Sequence, residues 1–219
     1  FTDTITGELK PDLEALRNTS LWHRTRTAFL NRDLASLRQV APDIEANLPG
    51  RADALRRFLD VCTAWDASTS PAQTPADKRL LILSDSRWQR AAVGWTIPSA
   101  NGIMHPDGES IEPLQSTQGT CAKGLYAHAP SCYAYALGAG WERLRSRFGL
   151  QSGHAGSVVF VIRGDGRELF RSAETTTASP EGRADIDVKG VELLELVVEP
   201  GNDGNSSDWG IWFEPTLSR

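Results

Sequence analysis

The stretch SVVFVIRGDGRELFRS, residues 157 to 172, is two alternating apolar and polar segments on either side of Asp165-Gly166. Alternation with period two places one face of each segment in a core, and an Asp-Gly pair supplies the positive backbone angles of a tight hairpin turn. Such a segment cannot sit still as a helix. ADIDVKG (184–190) and VELLELVVEPG (191–201) continue the strand-turn-strand rhythm, and no long helical stripe follows residue 80. AGWERLRSRFGL (139–150) fits either a helix or a strand with Trp141, Leu144 and Phe148 turned inward. An all-β sandwich of roughly 140 residues is the architecture these segments predict.

The first third of the chain has a different texture. From Pro11 to about Trp65 apolar residues recur at helical spacing, with Pro11 suited to a first turn and Asp12 and Glu14 near the positive end of the dipole. Trp22, Phe29, Leu30, Leu34 and Leu37 form one stripe on a helix predicted to start near Ser20 and end at Pro42. Ala52, Leu55, Phe58, Leu59, Cys62 and Trp65 form a second stripe. DASTSPAQTPADK (66–78), small, polar and proline-bearing, reads as a linker. The expected organisation is an α-helical region, 1–75, followed by a β-sandwich domain, 76–219.

Composition narrows the function classes. With 40% hydrophobic and 23% charged residues the chain is globular, and its net charge of −5 argues against nucleic-acid or anionic-membrane partners, which reward a basic face. No apolar run approaches the roughly 20 residues that cross a bilayer, so membrane insertion is not expected. Phe1 in first position reads as a processed product, which is compatible with secretion. Four Lys against nineteen Arg points to a GC-rich bacterial genome. Cys121 and Cys132 either bridge a hairpin or are reduced thiols, and no cysteine spacing suits zinc.

Signatures of acyl, metallo and nucleotide chemistry are missing: GxSxG, HExxH, a P-loop and GxGxxG before a helix do not occur. Carboxylates are many, among them Asp107, Glu109, Glu112, Asp165, Glu168, Asp203 and Asp208, yet spacing in sequence does not pair two of them across a cleft. His128 is either a core histidine bonded to backbone or a donor to a ligand at a sheet edge. His105 reads as a loop residue, and His23 and His154 have no constellation around them. Arg163-Gly164-Asp165 is an adhesion tripeptide by chance, as part of a turn. Trp95 and Trp209 are the tryptophans best placed to lie under the apolar face of a sugar ring, and Trp212 is assigned to the core.

These residues also carry a family resemblance. LSDSRW (83–88), Gly94-Trp95, AKGLYAHAPS (122–131), YALG (135–138), GSVVFVIRGDGRELFRS (156–172), DIDVKGVELLELVV (185–198) and the run from Gly201 to Trp212 occur in order. Positions 79 to 217 resemble an NPCBM domain. The resemblance implies a jelly-roll sandwich of the galactose-binding type without catalysis of its own, binding galactose-type sugars and holding a structural calcium where the termini meet. Asp85 and Glu214 are the carboxylates it assigns to calcium, a cation that takes six to eight oxygens; a solvated turn Asp and an edge Glu are the other reading. Relatives commonly read YDHADWAD where this chain has SDWGIWFE, so Asp208 and Trp212 are kept while Trp209 and Ile211 stand for a His and an Asp.

The function expected is therefore a non-catalytic carbohydrate-binding module of a secreted, periplasmic or surface-attached bacterial protein, associated with a glycosidase and with further domains of the same polypeptide. Its glycan is expected at a sandwich edge formed by Trp95, His128, Asn205, Asp208 and Trp209. The rival from another class is an assembly domain that has lost its sugar site. It predicts an exposed apolar patch around Trp209 and Ile211.

Overall fold

The computed structural model describes residues 2–219, with side chains from residue 14 onward. Two compact units emerge: Phe1–Ala67 together with Pro106–Ser110, and Ser68–His105 together with Ile111–Arg219.

The first unit is helical, with α1 (Thr2–Leu30), α2 (Leu34–Asn47) and α3 (Ala52–Ala67). Helix α1 begins well before Ser20, and the side chains of Pro11 and Asp12 lie outside the described residues. The stripe from Trp22 to Leu37 is not one helix. Arg32 turns left-handed, at φ +56°, and Asp33 caps α2 by accepting from Ser36 N at 3.0 Å. Pro42 does not end that helix but lies inside it, on the exposed side, and Ile44 beyond it is buried. Phe29 and Phe58 stack at 4.1 Å in the centre of the unit. Loop 106–110 closes over Phe58: Arg57 donates to Gly108 O at 2.9 Å, and a Cβ at Gly108 would approach the Phe58 ring to 2.6 Å.

The second unit contains sixteen strands. In chain order they are β1 (Leu80–Ile82), β2 (Arg90–Ala92), β3 (Ser99–Ala100), β4 (Ile103–Met104), β5 (Ile111–Glu112), β6 (Leu114–Ser116), β7 (Gly119–Cys121) and β8 (Gly124–His128). They continue as β9 (Ser131–Ala136), β10 (Arg143–Leu150), β11 (Ser157–Gly164), β12 (Arg167–Arg171), β13 (Thr175–Thr176), β14 (Gly182–Asp187), β15 (Leu193–Pro200) and β16 (Trp209–Ser218). One sheet runs β14-β10-β16-β8-β3 with β1 also on β16; the other runs β12-β11-β15-β9-β2 with β13 on β11. Every pairing is antiparallel, and the fold is a β-sandwich preceded by three helices.

The hairpin expected at Asp165-Gly166 joins β11 to β12, both turn residues having positive φ, +51° and +77°. Its Arg163 pairs with Glu199 and its Asp165 carboxylate accepts from the backbone of Leu193, so the Arg-Gly-Asp sequence is spent on the turn. Of AGWERLRSRFGL, Arg143–Leu150 is a strand, β10, with Leu144 and Phe148 inward as the alternation requires, and Trp141 before it is buried. Phe148, Phe160 and Trp212 pack edge-on or tilted at 4.7 to 5.8 Å between the sheets. The stretch from Ser68 to Lys78 is held to the sandwich: Trp141 Nε1 donates to Pro71 O at 3.2 Å, and Arg219 donates to the carbonyls of Thr74 and Pro75. All three cysteines are free, so Cys121 and Cys132 do not bridge; they lie on β7 and β9.

Alternation along β16 divides its side chains. Trp212 enters the inter-sheet core, while Trp209, Ile211 and Phe213 point the other way and are buried with Ile103, Leu114, Cys121 and Tyr126. The segment carrying β4 to β7 thus covers this half of the sheet's outer face. Ile211 is fully buried there. Trp209 and Ile211 are themselves buried, so among the described residues neither contributes to the exposed apolar patch that an assembly domain requires.

Candidate functional site

The antiparallel register sets Trp209, first residue of β16, opposite His128, last residue of β8. Their rings come within 6.3 Å at the rim of the sandwich. Between β2 and β3, the chain brings Trp95 to the same place: Gly94 N donates to His128 O at 2.9 Å, and a Cβ on Gly94 would lie 2.3 Å from Ala129 O. Only glycine permits that approach, and it fixes where the next residue leaves the backbone. The residue after Trp95 is strained. Thr96 has φ +64°, a conformation unusual for a β-branched residue and one that persists only where the surroundings enforce it.

Trp95 and Trp209 meet at 4.9 Å, tilted by 45°. His154 stacks on Trp209 at 3.8 Å and 15°, and Tyr126 meets it edge-on at 5.4 Å. This packing decides which indole is available. Trp209 is 7% exposed and Trp95 is 45% exposed. The open platform expected of Trp209 is therefore Trp95, because Trp209 has one face taken by His154 and neighbours Trp95 and Tyr126 around the rest.

Polar groups surround that platform. His105 lies edge-on to Trp95 at 6.1 Å and is hydrogen-bonded to Glu112 at 2.8 Å. His128 Nδ1 lies 2.8 Å from Ala129 O; a carbonyl only accepts, so Nδ1 carries the proton and Nε2 is left as an acceptor. Burial pushes the pKa of His128 down, and nearby His154 pushes it further. Burial also lowers His154, against the pull of Glu112. Both rings are neutral hydrogen-bonding groups at neutral pH. Tyr126, beside the Thr96 hydroxyl, has its phenol pKa raised by burial and then by Glu112.

Of the five residues predicted to bind sugar, Trp95, His128 and Trp209 assemble at the rim. Asn205 is exposed on the 201–208 loop, without a contact to the cluster among the described residues. Asp208 is fully buried and turned away: its Oδ1 accepts from Ser157 N at 3.2 Å, and Oδ2 has no partner among the described residues. A carboxylate sealed in this way offers a saccharide no face, which corrects its assignment to the binding edge. Desolvation, with Asp203 adding to it, raises its pKa to about 6. Asp203 itself bonds Ser157 Oγ, and Glu174 accepts from Asn202, so the oxygen-rich loop ties its own turns together.

The two carboxylates assigned to calcium are each held by a cation of the chain. Asp85 accepts from Lys123 Nζ at 2.7 Å and from Asn101 Nδ2 at 2.8 Å, and Glu214 pairs with Arg147 at 3.0 Å. Among the described residues no group of three or more His, Cys, Asp or Glu is arranged to hold a metal ion. An ammonium and an amide donor on Asp85 do not fit a cation that seeks oxygen ligands.

Sequence reasoning missed His105, Glu112 and His154. The contact of His105 with Glu112 is made only because β4 and β5 pair and bring the two back together, Ile103 opposite Glu112. His154 reaches Trp209 because it lies between β10 and β11, and nothing in its neighbours signals that.

Nothing among curated protein sequences matches the chain. A family model described as NPCBM/NEW2 domain matches residues 79–218. Among solved structures the chain is similar to a CBM51 module of Clostridium perfringens GH95 in complex with methyl-galactose, with 25% identity and a TM-score of 0.54 over 64% of this chain and 99% of that one. It is similar also to CBM51-2 with the INT domains of Clostridium perfringens ZmpB in complex with GlcNAc, at 23% identity and a TM-score of 0.56, over 65% of this chain and 32% of that one. Tandem CBM51 modules of Sp3GH98 from Streptococcus pneumoniae SP3-BS71 match at 19% identity and a TM-score of 0.55, over 67% of this chain and 50% of that one. The latter two likenesses show the fold. The chain spans 15% and 32% of the first two solved chains it matches.

Proposed function

The chain is a member of the NPCBM/NEW2 domain family, and from that membership together with the rim geometry we propose that it is a carbohydrate-binding module without catalysis of its own. Its ligand is a galactose-type or related neutral glycan. The protein that carries it is secreted by, or displayed on, a bacterium and is glycosidase-associated, and the three helices connect the module to further domains.

One observation carries this reading: a half-exposed indole, Trp95, set among imidazoles and a carboxylate at the edge of a sandwich. The apolar C–H face of a pyranose gains most against such a ring, and its hydroxyls need a few fixed partners. Glu112 accepts, His128 Nε2 accepts, His105 gives its Nε2 proton to Glu112 and accepts at Nδ1, and His154 takes either role by tautomer. With no Lys or Arg in contact with the platform among the described residues, a neutral sugar is preferred over an acidic one. The methyl-galactose and GlcNAc named with two of the similar structures support the same class.

Calorimetry or a glycan array with galactose, N-acetylgalactosamine, N-acetylglucosamine and fucosylated oligosaccharides tests the proposal. Binding at micromolar to millimolar strength is expected, weakened about thirtyfold by Trp95→Ala with the melting temperature unchanged. Silence across the whole set at millimolar sugar defeats it.

A further inference from the structure

The outer face of the same sheet is covered only in part. Beyond the hydrophobic patch under Trp209, where β14, β10, β16 and β1 run side by side, an open groove of about 560 Å³ crosses the strands. Alternation puts Arg145 and Arg147 of β10 on this face, because Leu144 before them and Phe148 after them are in the core and Ser146 between them is buried. Arg183 and Asp185 of β14 and Glu214 and Thr216 of β16 complete the walls.

The charges in this groove are unevenly matched. Arg147 is neutralised twice, by Glu181 at 2.5 Å and Glu214 at 3.0 Å. Asp185 is shared by Arg143 at 2.7 Å and Arg145 at 3.2 Å. Arg183 lies directly opposite Arg147 in the β10–β14 ladder, is exposed, and has no acceptor among the described residues. Arg147 with its two carboxylates carries one net negative charge, which Arg183 faces across the ladder without a hydrogen bond, while the neighbouring group of Arg143, Asp185 and Arg145 carries one net positive charge. The lining arginines Arg145, Arg147 and Arg183 stand against Asp185 and Glu214, and adding the partners Arg143 and Glu181 keeps the excess at one positive charge.

We propose that this groove is a second subsite, for an acidic saccharide that presents a carboxylate to Arg183 and Arg145 and hydroxyls to Asp185 and Thr216. The charge count selects the anion. One carboxylate cancels the excess and matches the planar fork of a guanidinium, whereas a phosphate dianion or a polyanion meets Asp185, Glu214 and a chain whose net charge is −5. The mixed lining selects the carrier, since acidic walls have no use for a bare carboxylate but accept from the hydroxyls that flank one on a sugar. A uronic acid within a chain and a terminal sialic acid share this chemistry.

The test is calorimetric or NMR titration of the whole chain, at low ionic strength, with a galacturonate oligosaccharide, its neutral galactose counterpart, sialyllactose, lactose and inorganic phosphate. At least one acidic sugar is expected to bind about tenfold or more tightly than its neutral counterpart, and the one that does identifies the source of the carboxylate. Arg183→Ala is expected to erase that difference while the circular dichroism and melting curve stay as they were. Trp95→Ala is expected to leave it intact, which separates this subsite from the neutral-sugar rim. Equal binding of acidic and neutral sugars, persistence of the difference in Arg183→Ala, its loss in Trp95→Ala, or phosphate binding as well as the sugars would each overturn the proposal.

Discussion

Strand β16 has two ends of opposite character on one sheet. At Trp209 the neighbours are rings: Trp95, Tyr126, His128 and His154, with Glu112 behind them. At Glu214 to Thr216 the neighbours are arginines and their counter-ions. The backbone pairing is the same at both, so the sheet supplies position and the outward residues supply the chemistry. Stability and binding at the aromatic end should answer to pH; at the charged end they should answer to the loss of single partners and to salt.

The charged end has the largest single dependence. Glu181 is nearly sealed, its side chain 4% exposed, and its charge is met by Arg147 and by the Ser116 hydroxyl. Removing the cation leaves a buried carboxylate without a counter-charge, a change that typically costs 3 to 5 kcal/mol in a full interior. Arg147 is partly in solvent, which places Arg147→Met near the low end, about 3 kcal/mol by denaturant melting. A loss below about 1 kcal/mol would make the pair an ordinary surface bridge and remove the contrast between the two ends.

At the aromatic end the next effect comes from Asp208. Its folded pKa, about 6, stands above the ordinary value of 3.8, so between these values the folded state holds more protons than the unfolded one. Its contribution to stability is full below pH 3.8 and is lost as pH rises through 6. His128 and His154 act oppositely: with folded values below 6.5, their contribution is present above 6.5 and is lost as pH falls. Asp208→Asn is expected to gain about 2 kcal/mol at pH 8 and to lose about 1 kcal/mol below pH 4, because the polar atom it leaves unpartnered costs the same at both. The variant should then show only the histidine slope, falling monotonically from pH 7 to 5. An unchanged pH profile would mean Asp208 is not buried in its charged form.

How much of this was readable in advance differs between the two units for a physical reason. Period-two alternation identified β11, β12 and β15, and the Asp-Gly pair fixed their turn, because those signals are local. Trp212, assigned to the core, is fully buried there. The helical stripe was readable as helix but not as two helices, since Arg32 and Asp33 break it without a glycine and Pro42 continues a helix it was expected to end. At the rim, Trp95, His128 and Trp209 were found, but which indole is open was not. That depends on His154, brought over from the β10–β11 connection, and burial by a remote residue leaves no trace in the covered one's neighbours. Asp208 was misplaced because the residue after Ser207, itself at φ +64°, turns its side chain back toward Ser157 rather than outward.

The strain at Thr96 offers a smaller and more discriminating test of the aromatic end. A left-handed β-branched residue costs of order 1 to 3 kcal/mol, and glycine relieves it at an entropic cost of about 0.5 to 1 kcal/mol. Thr96→Gly is expected to raise stability by about 1 kcal/mol or less while weakening neutral-sugar binding, since the constraint that holds Trp95 is relaxed. Gain in stability with affinity unchanged would show that Gly94, packed on Ala129 O, positions the indole by itself.

Least of all should respond to calcium. The carboxylates the family resemblance assigns to it stand at the charged end, where Lys123 and Asn101 already donate to Asp85 and Arg147 to Glu214. Bringing them to one ion would require expelling the ammonium, turning the amide of Asn101 and parting Arg147 from its second carboxylate, and each of these removes a contact now made. The Lys123–Asp85 pair is about two-fifths exposed on both sides, so its own worth is within about 1 kcal/mol and falls with salt. Thermal melts in millimolar calcium and in chelator should therefore superimpose, while added sodium chloride shifts both alike. A rise in melting temperature specific to calcium, abolished by Asp85→Asn, would show that the ion outcompetes Lys123 and that this end of the strand is built around a metal rather than around arginines.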